Sequence, residues 1–185
     1  MQTPVPSPST DPAPPRRTLV LVGMMGAGKT SVGKRLAHAM GLPFKDADEE
    51  IEKAAGLTIS EIFALRGEAE FREGERRVIA RLLDDPPHVL ATGGGAFVND
   101  TTRALVKAKA TSIWLRADPE VLARRVGRKD NRPLLRGKDP RKVLAELLAA
   151  REPVYSQADL TIESNDGPHQ HTVEAILAAL KEHNR

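Results

Sequence analysis

The sequence predicts an α/β fold, three layers deep, with a five-stranded parallel sheet between two layers of helix. Two observations predict it. Short apolar runs alternate with longer segments of helical period, the pattern of strands joined by helical crossovers. The first apolar run, "TLVLVG" at 18 to 23, also leads straight into a glycine-rich turn and a helix, the strand-turn-helix unit from which parallel sheets of this class are built.

The strands are expected at 18 to 23, 42 to 47, 88 to 93, 111 to 117 and 159 to 164. The helices fall near 29 to 40, 47 to 55, 58 to 65, 67 to 84, 99 to 108, 118 to 126, 139 to 151 and 171 to 183. Asp118 before Pro119 and Asp139 before Pro140 read as N-caps followed by a first-turn proline. Gly41 and Gly56 stand where helices end. The basic segment 127 to 139, "GRKDNRPLLRGKD", has glycine near both ends and reads as a mobile loop, with a lid at about 127 to 137.

Composition bounds the function. The chain has 185 residues, 40% of them apolar and 3% aromatic, so one core of Leu, Val, Ile and Ala is expected. Its 28 basic residues are nearly matched by 25 acidic ones, for a net charge of +3, which argues against a nucleic-acid-coating protein and suits small anionic ligands. The absence of cysteine excludes disulfides and thiolate metal sites. Residues 1 to 17 hold six of the 14 prolines and no apolar stretch of a secretory signal, so they read as a disordered extension preceding a domain over 18 to 185. No apolar run approaches the roughly 18 residues of a membrane helix, and a cytoplasmic protein without membrane partners is expected.

The stretch "GMMGAGKTS" places Gly23 and Gly28-Lys29-Thr30 at every fixed position of a P-loop. Glycines let backbone N–H groups surround a phosphate, and the helix that follows points its positive end at the same anion. Gly26, Ala27, Gly28, Lys29, Thr30 and Ser31 are therefore the candidate ATP-binding residues. Lys29 suits the β- and γ-phosphates, and the Thr30 hydroxyl suits Mg²⁺.

Three further groups stand out, two of them at predicted strand ends. Asp46 and Asp48 lie at the C-terminal end of the second strand; on an extended chain they point to opposite faces, while "DADEEIEK" also reads as a helix start with Asp48 in a capping position. Glu68, Arg72, Glu75 and Arg76 share one side of a helix, which alone is equally a solvated ion-pair face. Gly93, Gly94 and Gly95 end the third strand, a run that implies close backbone approach or positive φ. His169 and His171 read as solvated, since two histidines make no metal site.

Taken in order, "GMMGAGKTSVG", "DADEEIE", "EFREGE", "TGGGA", "RPLL" and "REPVY" resemble the shikimate kinase family over about residues 18 to 163. The resemblance implies the strand order 2-3-1-4-5. It also implies transfer of the γ-phosphate of ATP to the 3-hydroxyl of shikimate, with Mg²⁺, in aromatic amino-acid biosynthesis. It assigns Asp48, Arg72, Gly94 and Arg151 to shikimate, and Asp46 to the metal through water. Arg132 would reach the phosphates, Arg125 would stack on adenine, and Glu75 would orient Arg72. Lys29, Asp48 and Arg132 would be the catalytic residues, in a monomer.

Two other readings compete. A gluconate-type sugar-acid kinase shares the P-loop and lid logic. A P-loop module that binds a partner according to its nucleotide shares the motif alone, but the chain has no Asn-Lys-x-Asp guanine signature.

Overall fold

The computed structural model describes residues 17–127, 137–164 and 167–185. The proline-rich extension and most of the basic loop, with Arg132, lie outside the described residues.

The chain runs β1 (Thr18–Val22), α1 (Lys29–Met40), β2 (Phe44–Asp46), α2 (Ala47–Ala55), α3 (Ile59–Arg66), α4 (Glu68–Leu83), β3 (Val89–Ala91), a 3₁₀ turn (Ala96–Val98), α5 (Asp100–Lys109), β4 (Ala110–Arg116), α6 (Pro119–Val126), α7 (Pro140–Tyr155), β5 (Leu160–Glu163) and α8 (His169–His183). The five strands form one parallel sheet in the order β2-β3-β1-β4-β5, with helices on both faces. β1 is central and buried at every residue, as its run of aliphatic residues demands of a strand covered on both sides.

Register brings the site together. Leu21 of β1 and Asp46 of β2 both pair with Ala91 of β3, so the three strands end side by side. The P-loop, the Asp46–Asp48 turn and the glycine run all leave from this one edge, beside the reversal of strand order where such sheets bind ligands.

Beneath that edge, Leu19, Leu21, Leu90, Ile113 and Leu115 of the sheet are buried, with Val32 and Leu36 of α1, Ile79 and Leu82 of α4, and Val173 and Ile176 of α8. Gly33 of α1 lets helix and sheet approach: a β-carbon there would lie 2.6 Å from the ring of Phe44. Gly41 and Gly56 end α1 and α2 in the left-handed conformation, as expected.

Three expectations need correction. The strand predicted at 42 to 47 is shorter, because Ala47 already opens α2. α7 continues past residue 151 through Pro153 to Tyr155, and α8 starts two residues early, at His169. Tyr155 is fully buried, its ring centroid 5.7 Å from that of Trp114, and this packing holds the last turn of α7 helical despite the proline.

Candidate active site

The P-loop closes as its glycines predict. Gly26 and Gly28 have φ of 83° and 91°, a region that side-chain-bearing residues rarely occupy. Ala27 is buried, and its carbonyl accepts a hydrogen bond from Ser164 Oγ at 2.7 Å, which ties the loop to the end of β5. Lys29 Nζ donates to the carbonyls of Gly23 (2.6 Å) and Met24 (2.9 Å), so the ammonium is held over its own loop.

Thr30 Oγ1 donates to Asp46 Oδ2 at 2.9 Å, bringing a hydroxyl and a carboxylate together beside the loop. Asp46 Oδ1 accepts from the Asp48 backbone N–H at 2.9 Å. The capping acid of α2 is therefore Asp46, and Asp48 lies within the first turn of the helix. The opposite-face geometry of an extended strand does not hold. Both acids nevertheless line one cleft of about 370 Å³ with Met25, Gly26, Gly28, Lys29, Thr30, Ser31, Thr92, Gly93, Gly94, Arg125 and His169.

The glycine run needs no positive φ at any of its three residues. Close approach explains it. A β-carbon on Gly95 would sit 2.5 Å from Arg72 Nη1, one on Gly94 would sit 3.2 Å from Arg151 Nη1, and one on Gly93 would sit 3.1 Å from both Asp48 Oδ1 and Glu75 Oε2. Two guanidinium groups and two carboxylates thus crowd onto one stretch of bare backbone. Tyr155 donates its hydroxyl hydrogen to the Gly94 carbonyl, fixing the run from below.

Arg72 donates to Glu75 Oε1 at 2.9 Å and lies 3.7 Å from Glu68 Oε1. Arg76 departs from the predicted group and pairs with Glu73 at 2.6 Å. Glu75 is buried, and Oε2 has no hydrogen-bond partner among the described residues. Burial pushes its carboxyl above the ordinary range; Arg72 and Arg151 oppose this and Asp48 adds to it.

At the other end of the cleft, Arg125 Nη1 donates to the Gly26 carbonyl at 3.1 Å. His169 lies against Gly28, half-buried, where the sequence reads as a solvated tail. Sequence reasoning also missed Thr92, whose hydroxyl donates to the Leu21 carbonyl at 2.8 Å, and Ser164. Only the tertiary fold brings these to the loop, so no local signal marks them.

A family model described as shikimate kinase matches residues 25–181. The chain belongs to the shikimate kinase family. A family member from Caulobacter vibrioides is 67% identical over 94% of this chain and 88% of its own length. One from Bradyrhizobium diazoefficiens is 59% identical over 90% and 81%. Among solved structures, a shikimate kinase from Acinetobacter baumannii in complex with shikimate superposes with a TM-score of 0.87 at 40% identity, over 90% of this chain and 93% of that one. Among the described residues, no helix is long and apolar enough to cross a membrane.

Proposed function

We propose that this protein transfers the γ-phosphate of ATP to the 3-hydroxyl of shikimate. The single observation that carries this reading is the cleft, which joins a P-loop at one end to Asp48, Gly93 and Gly94 at the other, with Arg151 packed against Gly94 and Arg72 against the adjoining Gly95. Membership of the family supports it. Phosphoryl transfer asks mainly for in-line positioning and charge neutralisation, and the two ends of the cleft divide those tasks.

At the nucleotide end, the N–H groups of residues 26 to 31 cradle the phosphates, and Lys29 leaves the carbonyls of its own loop to neutralise the β- and γ-phosphates. Arg125 flanks the base side of the loop. Thr30 and Asp46 fit Mg²⁺: their two oxygens are adjacent, and hard oxygen donors beside a triphosphate are the environment that ion takes. When bound, Mg²⁺ supplies positive charge against the phosphate oxygens.

At the acceptor end, Arg72 and Arg151 offer planar forks for a carboxylate, and Asp48 accepts the hydrogen bond of the reacting hydroxyl. The bare backbone of Gly94 admits the substrate ring between them. A carboxylate at Asp48 also receives the hydroxyl proton as the bond to phosphorus forms. Glu75 holds the Arg72 fork in position. We place the enzyme in the cytoplasm as a monomer, one domain over 18 to 185 preceded by its proline-rich extension.

The test is a coupled ADP-release assay with ATP, Mg²⁺ and either shikimate or gluconate as acceptor. Turnover with shikimate and none with gluconate is expected. Turnover with gluconate in its place would transfer the site to the sugar-acid reading.

A further inference from the structure

His169 has no task in the reaction as derived above, yet it lines the nucleotide end of the cleft. Its Cε1 lies 3.3 Å, and its Nδ1 3.6 Å, from the point where a β-carbon on Gly28 would stand. Arg125 Nη1 lies 3.7 Å from that same point. The imidazole and the guanidinium therefore meet over one residue of the P-loop.

The placement is built into the fold. His169 is the first residue of α8, which packs against α1, the helix that continues the P-loop. Val173 and Ile176 anchor α8 in the core, and the Ser164–Ala27 hydrogen bond fixes the strand end just before it. Whatever occupies the loop next to Gly28 meets this ring.

The charged groups that bear on the ring are Arg125 from α6 and Arg35 from α1. Burial, with those two arginines, holds its proton affinity below the ordinary histidine value. A polyanion entering the loop reverses the sign of that field and favours the imidazolium. We propose that His169 contacts the polyphosphate of the bound nucleotide and carries a proton when it does so, which makes it a pH-linked determinant of nucleotide affinity. The proposal rests on the reading of the P-loop as an ATP site.

The linkage has a definite sign. The proton is bound more tightly in the complex than in the free protein, so nucleotide affinity strengthens as pH falls through the histidine range. Titration of the phosphates themselves is common to wild type and variant and cancels between them.

The experiment is titration calorimetry of the full-length protein without shikimate, using ADP, inorganic tripolyphosphate and adenosine as probes, at about pH 6 and about pH 8.5 and in buffers of different ionisation enthalpy. On binding ADP, wild type should take up more protons than the variant lacking the imidazole, the contribution of the phosphates being common to both. His169→Asn should lose that excess and bind tripolyphosphate roughly fivefold to tenfold more weakly near pH 6, with less than about a twofold change near pH 8.5. His169→Lys should bind tightly at both values, since its charge does not titrate there. Adenosine should bind all three proteins alike.

An equal loss at both pH values, a loss confined to adenosine, or unchanged binding of tripolyphosphate would each overturn the proposal. Failure of wild type to bind either ADP or tripolyphosphate would instead remove the nucleotide reading beneath it.

Discussion

Arg72 fills the space that a side chain on Gly95 would need: the guanidinium lies 2.5 to 2.6 Å from where a β-carbon on Gly95 would stand. Gly95→Ala must therefore displace Arg72 from the acceptor end of the cleft. The expected result is a Michaelis constant for shikimate raised about tenfold or more, equivalent to roughly 1.4 kcal/mol, with that for ATP little changed. Steady-state kinetics with each substrate varied in turn checks the split.

Glu75 is the other constraint on Arg72, and its cost to the fold is pH-dependent. Its folded-state pKa is raised, chiefly by burial, so the stability it contributes is fully present below the unfolded carboxylate value and is lost as pH rises through the folded value. Glu75→Gln should abolish that decline in urea unfolding and at the same time raise the Michaelis constant for shikimate, because the amide holds the guanidinium less firmly. A variant whose kinetics match wild type would show that Arg72 is held without it.

Lys29 donates hydrogen bonds to the carbonyls of Gly23 and Met24. Lys29→Ala should lower kcat by about a hundredfold or more, the scale of removing a charged group that meets the transferring phosphate. Its circular dichroism should remain that of wild type, while the rise in melting temperature caused by ATP should shrink.

His88 stands far from this chemistry, at the opposite end of β3. It is fully buried; Nδ1 lies 2.9 Å from the Pro86 carbonyl and 3.3 Å from Thr18 Oγ1, and Nε2 has no partner among the described residues. Burial lowers its pKa, so the folded state keeps the ring neutral after the unfolded chain has taken up a proton. Stability is present above the unfolded value and falls with pH below it, by up to about 1.4 kcal/mol per pH unit. His88→Gln should flatten this slope in urea unfolding between about pH 7 and pH 5 and leave kcat unchanged.

The local features of the fold were legible in the sequence wherever glycine punctuates it. α1 and α2 have the bounds that Gly28, Gly41 and Gly56 predict, and the strand order matches what the family resemblance implies. Asp46, not Asp48, caps α2: a helix start at 47 already implies this, whereas a strand carried one residue too far puts Asp48 in the capping position. What failed otherwise was geometry set by distant contacts. The helix expected to end at 151 runs on through Pro153 to Tyr155, where the buried Tyr155 packs against Trp114. The glycine run signalled close approach, while the partners, Arg72 and Arg151, sit on α4 and α7 and reach it only through the fold. His169 looks like part of a polar tail until α8 is packed on α1.

In the proposed reaction the two ends of one cleft hand a phosphate to a hydroxyl at Asp48. Phosphorus NMR of ATP, Mg²⁺ and shikimate in equal amounts, with wild type and Asp48→Asn in parallel, tests it most directly. Wild type should convert the γ-phosphate signal into that of a single phosphate ester at the 3-hydroxyl, and Asp48→Asn should do so at least about a hundredfold more slowly while still binding ATP. Inorganic phosphate in place of the ester, or an ester formed as fast without the Asp48 carboxylate, would contradict the account.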